Sequence, residues 1–158
     1  NRDINTVISP AVALGVLGAG IFLVVGLLTG IWKYVAIMQS DKARAPYYVD
    51  IAHRSSLMYA GASLILVALA YFSVWSDGVN WWAMLANMVY FALAIGTYVI
   101  HGLLKDTDNQ LRSPHRLGPM TLPRVLIHLF MWSLIVAEVG GTLVLLAGAW
   151  QPLLAVAF

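Results

Sequence analysis

Apolar residues run along this chain in four long blocks, separated by polar stretches. The blocks extend from about Ala11 to Trp32, Ser55 to Trp75, Trp81 to Leu104 and Val125 to Trp150. Each approaches the roughly 20 residues that cross a hydrocarbon core about 30 Å thick. No bulk water is present at that depth to satisfy backbone N–H and C=O groups, so such segments must bond internally and are helical. The pattern predicts an all-α integral membrane protein, an antiparallel four-helix bundle in a single domain. A soluble bundle would need four helices buried all round, which a chain of 158 residues cannot supply.

The breaks between blocks set the orientation. Ser40 to Asp50 joins the first two spans, and Lys105 to Pro119 joins the last two. The middle break, Ser76-Asp77-Gly78-Val79-Asn80, reads as a tight turn. Of the nine basic residues, eight fall on one side: Lys33, Lys42, Arg44, Arg54, Lys105, Arg112, Arg116 and Arg124; Arg2 falls on the other. Lys and Arg are retained on the cytoplasmic side during insertion. Both long connections are therefore expected in the cytoplasm and both termini on the non-cytoplasmic side, in a bacterial cytoplasmic membrane. Trp32, Tyr34, Trp75, Trp81, Trp82, Tyr98 and Trp150 lie near span ends, the depth that amphipathic rings prefer.

Composition agrees with this reading. Hydrophobic residues make up 61% of the chain and charged residues 10%, against about 25% charged in soluble domains. No basic stripe suggests nucleic acid. The absence of cysteine removes thiol chemistry and cysteine-ligated metals. The start, Asn1-Arg2-Asp3-Ile4-Asn5, does not read as the charged region of a cleavable signal peptide.

The residues that carry chemistry are few. His53 stands at the start of the second span, His101 near the end of the third and His128 one turn inside the fourth, all on the side expected to be cytoplasmic. Imidazoles from different helices at one depth could ligate a haem b or another metal, or frame a quinone. An interfacial imidazole is also stable with no cofactor. The histidines lie on one side only, which leaves no ligands for a second haem near the other face. His101 shares a helical face with Tyr98, Thr97, Ala94, Tyr90 and Asn87, a stripe expected to meet protein. Arg124 and His128, one turn apart, could hold an anionic headgroup or a quinone carbonyl. The commoner use of such an arginine is to snorkel to phosphate.

Glu138 is the one charged-type residue deep in a span. It lies about 15 Å along the helix and about 280° around it from His128, so the two do not form one site. It is expected to face protein, as a proton-handling acid or as a neutral hydrogen-bonding group that fixes helix register. Gly26 and Gly30 give a GxxxG spacing on the first span, suited to close helix contact with a partner or within the bundle. The run Lys105 to Gln110 lacks the glycine and terminal glutamate of a calcium loop and reads as a polar turn. No phosphate loop, serine elbow or HExxH is present.

The expected function is that of a small membrane accessory subunit. In one version it is a redox anchor, with His53, His101, His128 and Arg124 around a haem or quinone near the cytoplasmic face. In another it is a cofactor-free structural or assembly subunit. A small transporter or intramembrane enzyme using Glu138 is a third. The expected partners are the lipid bilayer and other membrane subunits or further copies of the chain.

Overall fold

A computed structural model describes residues 8–157, so Arg2 and the Asn1–Asn5 segment lie outside the described residues. Four helices dominate: α1 (Pro10–Met38), α2 (Tyr47–Phe72), α3 (Asp77–Leu104) and α4 (Arg124–Ala157). All four are long and apolar enough to cross a membrane. The protein is an all-α, antiparallel bundle. Helices α2 and α3 each pack against the other three, whereas α1 and α4 share little contact.

The surface pattern is that of a chain that faces lipid. Leu17, Ile21, Leu28, Ile31, Ile65, Trp132 and Val136 are exposed, while Ser56, Ser63, Asn87 and Thr29 are buried. Each of these four finds a carbonyl in its own helix. Ser56 Oγ donates to Ala52 O (2.7 Å), Ser63 Oγ to Tyr59 O (2.7 Å), Thr29 Oγ1 to Val25 O (2.7 Å) and Asn87 Nδ2 to Ala83 O (2.9 Å). Polar groups satisfied in this way can stay inside a bundle surrounded by hydrocarbon.

The helix limits differ from the apolar blocks. Helix α2 begins at Tyr47, eight residues before the second block, because Asp50 in its first turn pairs with Arg54 one turn on and with Lys33 of α1 rather than standing in a loop. Lys33 Nζ at the end of α1 lies 2.5 Å from Asp50 Oδ1, and Arg54 lies 2.7 Å from Asp50 Oδ2. His53 therefore sits nearly two turns inside α2. The expected Ser76–Asn80 turn is shorter in fact. Ser76 caps α3 by accepting from the Val79 N–H (3.5 Å), so helix resumes at Asp77.

Helix α4 runs through Pro152 instead of stopping at Trp150. Proline has no N–H, which leaves the carbonyl four residues earlier, Gly148 O, without its helical donor. The Val74 N–H, in the α2–α3 connection, donates to that carbonyl at 3.1 Å. Trp75 Nε1 donates to Val144 O one turn away (2.9 Å), so the connection is bonded to α4 at two points.

Between α3 and α4 the chain adds a feature that apolar blocks do not signal, a two-stranded hairpin of β1 (His115–Leu117) and β2 (Met120–Leu122). Gly118 takes φ 58° at the first position of its two-residue turn, where a glycine is favoured.

Candidate functional site

The basic ends of the helices gather at one end of the bundle, and the hairpin folds over that end. The key step is made at Lys105, which ends α3 in the left-handed conformation (φ 50°, ψ 33°) and returns its N–H to His101 O (2.9 Å). This reversal brings Asp106 back against the helix it has just left. His101 Nδ1 lies 2.8 Å from Asp106 Oδ1, and the Gly118 N–H donates to Asp106 Oδ2 at 2.7 Å. The two side chains are only 8% and 6% exposed. Burial alone would raise the Asp106 carboxyl. The hydrogen bonds from Gly118 and His101 outweigh it and hold the group below the usual carboxylate range. An ionised carboxylate only accepts, so the proton of this bond resides on His101 Nδ1. The ring is further fixed by Tyr48, at 5.2 Å between centroids, and Tyr48 stacks on Tyr98 at 6.0 Å. The Tyr48 hydroxyl accepts from the Gln110 N–H (2.6 Å), so α2 also holds the loop.

Beside this pair is a cavity of about 180 Å³. Ile100, Ile127, Phe130 and Met131 of α3 and α4 form its membrane-side walls; His101, Gln110, His115 and Arg116 form its polar end. Among the described residues His101 has hydrogen bonds through Nδ1 only, which leaves Nε2 for an occupant. The cavity is thus amphiphilic, with one imidazole braced by a carboxylate at its polar end and, apart from Thr97, hydrocarbon side chains elsewhere.

The three span histidines are each engaged separately. His53 Nδ1 donates to Gly26 O across the α1–α2 contact (2.8 Å). His128 is exposed on α4, and its Nε2 accepts from Arg124 Nε (3.1 Å), so those two residues pair with each other. His101 alone lines the cavity, joined there by His115, whose Nδ1 donates to Gln110 O (3.3 Å). No group of three or more His, Asp or Glu side chains suited to a metal ion gathers among the described residues.

Gly26 and Gly30 face α2 of the same chain. A Cβ on Gly26 would stand 2.5 Å from Leu57 Cδ2 and 3.3 Å from the Leu57 backbone nitrogen, and one on Gly30 would stand 2.8 Å from His53 Cε1. Glu138 is half-buried, and its Oε1 is enclosed without a hydrogen-bond partner. Tyr59 of α2 and Tyr98 of α3 are within electrostatic reach of it.

Sequence reasoning did not select Asp106, Tyr48 or Gln110. The available signal for Asp106 was its place five residues after a histidine, just past a helix end. Reading it correctly required the left-handed turn at Lys105, a conformation that sequence seldom announces outside glycine and asparagine.

The fold and site define a four-helix membrane bundle with a small amphiphilic cavity at its basic end. Comparison with protein-family models, with curated proteins and with solved structures finds no match.

Proposed function

We propose that the protein is a small subunit of a membrane complex that binds a quinone headgroup at its cytoplasmic end, with His101 as the ring that contacts it. The observation that carries this reading is the buried His101–Asp106 pair beside an apolar cavity. A quinone needs one polar contact for its carbonyl oxygen, flat apolar walls for its ring, and access from lipid for its tail. Ile100, exposed on the bundle surface, lies at the lipid side of the cavity. With Nε2 protonated, the imidazolium faces the Asp106 carboxylate and donates to a quinone carbonyl. With Nε2 bare, it accepts from a quinol hydroxyl. The separate engagement of His53 and His128 favours a quinone over a haem held by paired imidazoles. The cytoplasmic location, in a bacterial cytoplasmic membrane with both termini outside, rests on the basic asymmetry.

Titration of the purified protein with a short-tailed benzoquinone, followed by quenching of its tryptophan fluorescence, tests the reading. Saturable quenching is expected, weakened about tenfold in His101→Leu, the loss of one hydrogen bond of about 1.4 kcal/mol. Equal binding by wild type and His101→Leu would remove quinone recognition by this residue.

A second reading, a cofactor-free assembly subunit, is favoured by one observation. Among its described residues α4 buries only Gly141, Leu145, Gly148 and Ala149, and the exposed face of its Arg124–Gly140 portion, with Leu129, Trp132 and Val136, is open to another membrane helix.

A further inference from the structure

The basic residues at this end of the bundle divide into two groups. Lys33 and Arg54 share Asp50, and Arg112 pairs with Asp108 at 3.5 Å. Arg124 is bonded to His128, and Arg116 lines the cavity beside His101. The remaining three, Lys42, Arg44 and Lys105, make no ion pair among the described residues. They line one cleft of about 480 Å³ between the α1–α2 connection and the end of α3. Two separate segments bring them there, each with a residue in the left-handed region: Ala43 (φ 50°), between Lys42 and Arg44, and Lys105 itself (φ 50°). No carboxylate lines the cleft. Asp50 is taken by Lys33 and Arg54, Asp106 by His101 and Gly118, and Asp41 does not line it. Three cations around one concave surface repel each other until an anion enters.

We propose that this cleft binds the headgroup of an anionic phospholipid. Trp32 and Val35 of α1 form its apolar side. From Val35 the exposed residues Ile31, Leu28 and Val24 continue down α1 in steps of four, three and four, a stripe about 16 Å long at the helical rise. It leads into a shallow groove formed by Val24, Ile21, Gly20 and Leu17, where the absence of a Cβ on Gly20 leaves open space. A phosphate among the three cations therefore has a continuous apolar track below it for an acyl chain. A free phosphate would use the cations and leave the track bare. The inference is independent of the quinone reading, because no residue of the cleft lines the His101 cavity.

Native mass spectrometry of the protein released from mixed phosphatidylglycerol and phosphatidylcholine micelles provides the test. Each cation beside an anionic headgroup strengthens binding by roughly fivefold. Wild type is expected to retain one phosphatidylglycerol in preference to phosphatidylcholine. Lys105→Gln and Arg44→Gln should each weaken retention by roughly fivefold, and the triple variant with Lys42→Gln should show no preference. Arg112→Gln, a base at the same end but outside the cleft, should keep it. Single variants keep the test open if the triple variant does not fold. Equal retention of the two lipids by wild type, or an unchanged preference in the triple variant, would overturn the proposal. Displacement of the lipid by millimolar inorganic phosphate would overturn it in favour of a free-anion site.

Discussion

Removing the Asp106 carboxylate should release the hairpin while leaving the bundle intact. In Asp106→Ala the Gly118 N–H and His101 Nδ1 both lose their acceptor in a site where the paired side chains are less than a tenth exposed. Breaking a buried pair by deleting one member costs about 3–5 kcal/mol. That cost falls on the element the bond holds, because α1, α2 and α3 retain all their mutual packing. The free energy of opening for residues 106–122 should drop by that amount, so amide hydrogen exchange there should accelerate by roughly 150- to 5,000-fold. Exchange in the α1–α2 contact should not change. Asp106→Asn keeps one acceptor oxygen of two and should show a smaller effect. The pH dependence has a defined sign. A carboxyl held low in the folded state stabilises above its unfolded value, near 3.9, and loses that contribution as pH falls through the folded value. Hairpin protection due to Asp106 should therefore be flat above about pH 5 and decline only in stronger acid. Exchange in 106–122 that is unchanged in Asp106→Ala would refute the idea that this carboxylate fastens the hairpin.

Other perturbations are expected to act as follows. Gly26→Leu drives a side chain into Leu57 and its backbone, and should lower stability in detergent by at least about 2 kcal/mol; Gly20→Ala, with open space around it, should be neutral or stabilising by up to about 1 kcal/mol. Equal melting temperatures for the two variants would mean that Gly26 is not packed against α2. Glu138→Gln should fold normally, since the amide is neutral and can still hydrogen-bond, whereas Glu138→Lys should cost on the order of 3 kcal/mol; comparable losses in both would contradict a neutral acid facing protein. Reporter fusions at Gly78 and Asp108 should report opposite sides of the membrane, and the same side for both would end the topology assigned from the basic residues.

The number and nature of the helices were legible because a long apolar run has one low-energy outcome in lipid. Their ends were less legible. Tyr47–Arg54 looks like loop by polarity and is helix because Asp50 finds cations on two helices. Pro152 looks like a stop and is not, because a backbone N–H from elsewhere replaces the one it lacks. The candidate site was legible in part. His101 could be singled out by its helical face and depth, but its partner depended on one backbone reversal at a lysine. The histidines could be placed at one depth but not in rotation about their helices, and rotation decides that His128 faces outward while His101 faces the cavity.

The bond between Val74 and Gly148 also marks where α4 is held. Helix α4 is pinned at its far end, where Gly148 and Val144 receive donors from the α2–α3 connection and Leu145 and Ala149 are fully buried. Toward Arg124 it buries no residue before Gly141. A helix bonded at one end and only partly buried at the other is expected to move, if it moves, as a lever about its bonded end. Ile127 lies about 30 Å from the pin by the helical rise, so a tilt of about 4° displaces it by about 2 Å. Any widening of the His101 cavity on its α4 side would then be expected as a swing about Gly148 rather than a slide of whole helices, with the proline far from the cavity setting its fulcrum.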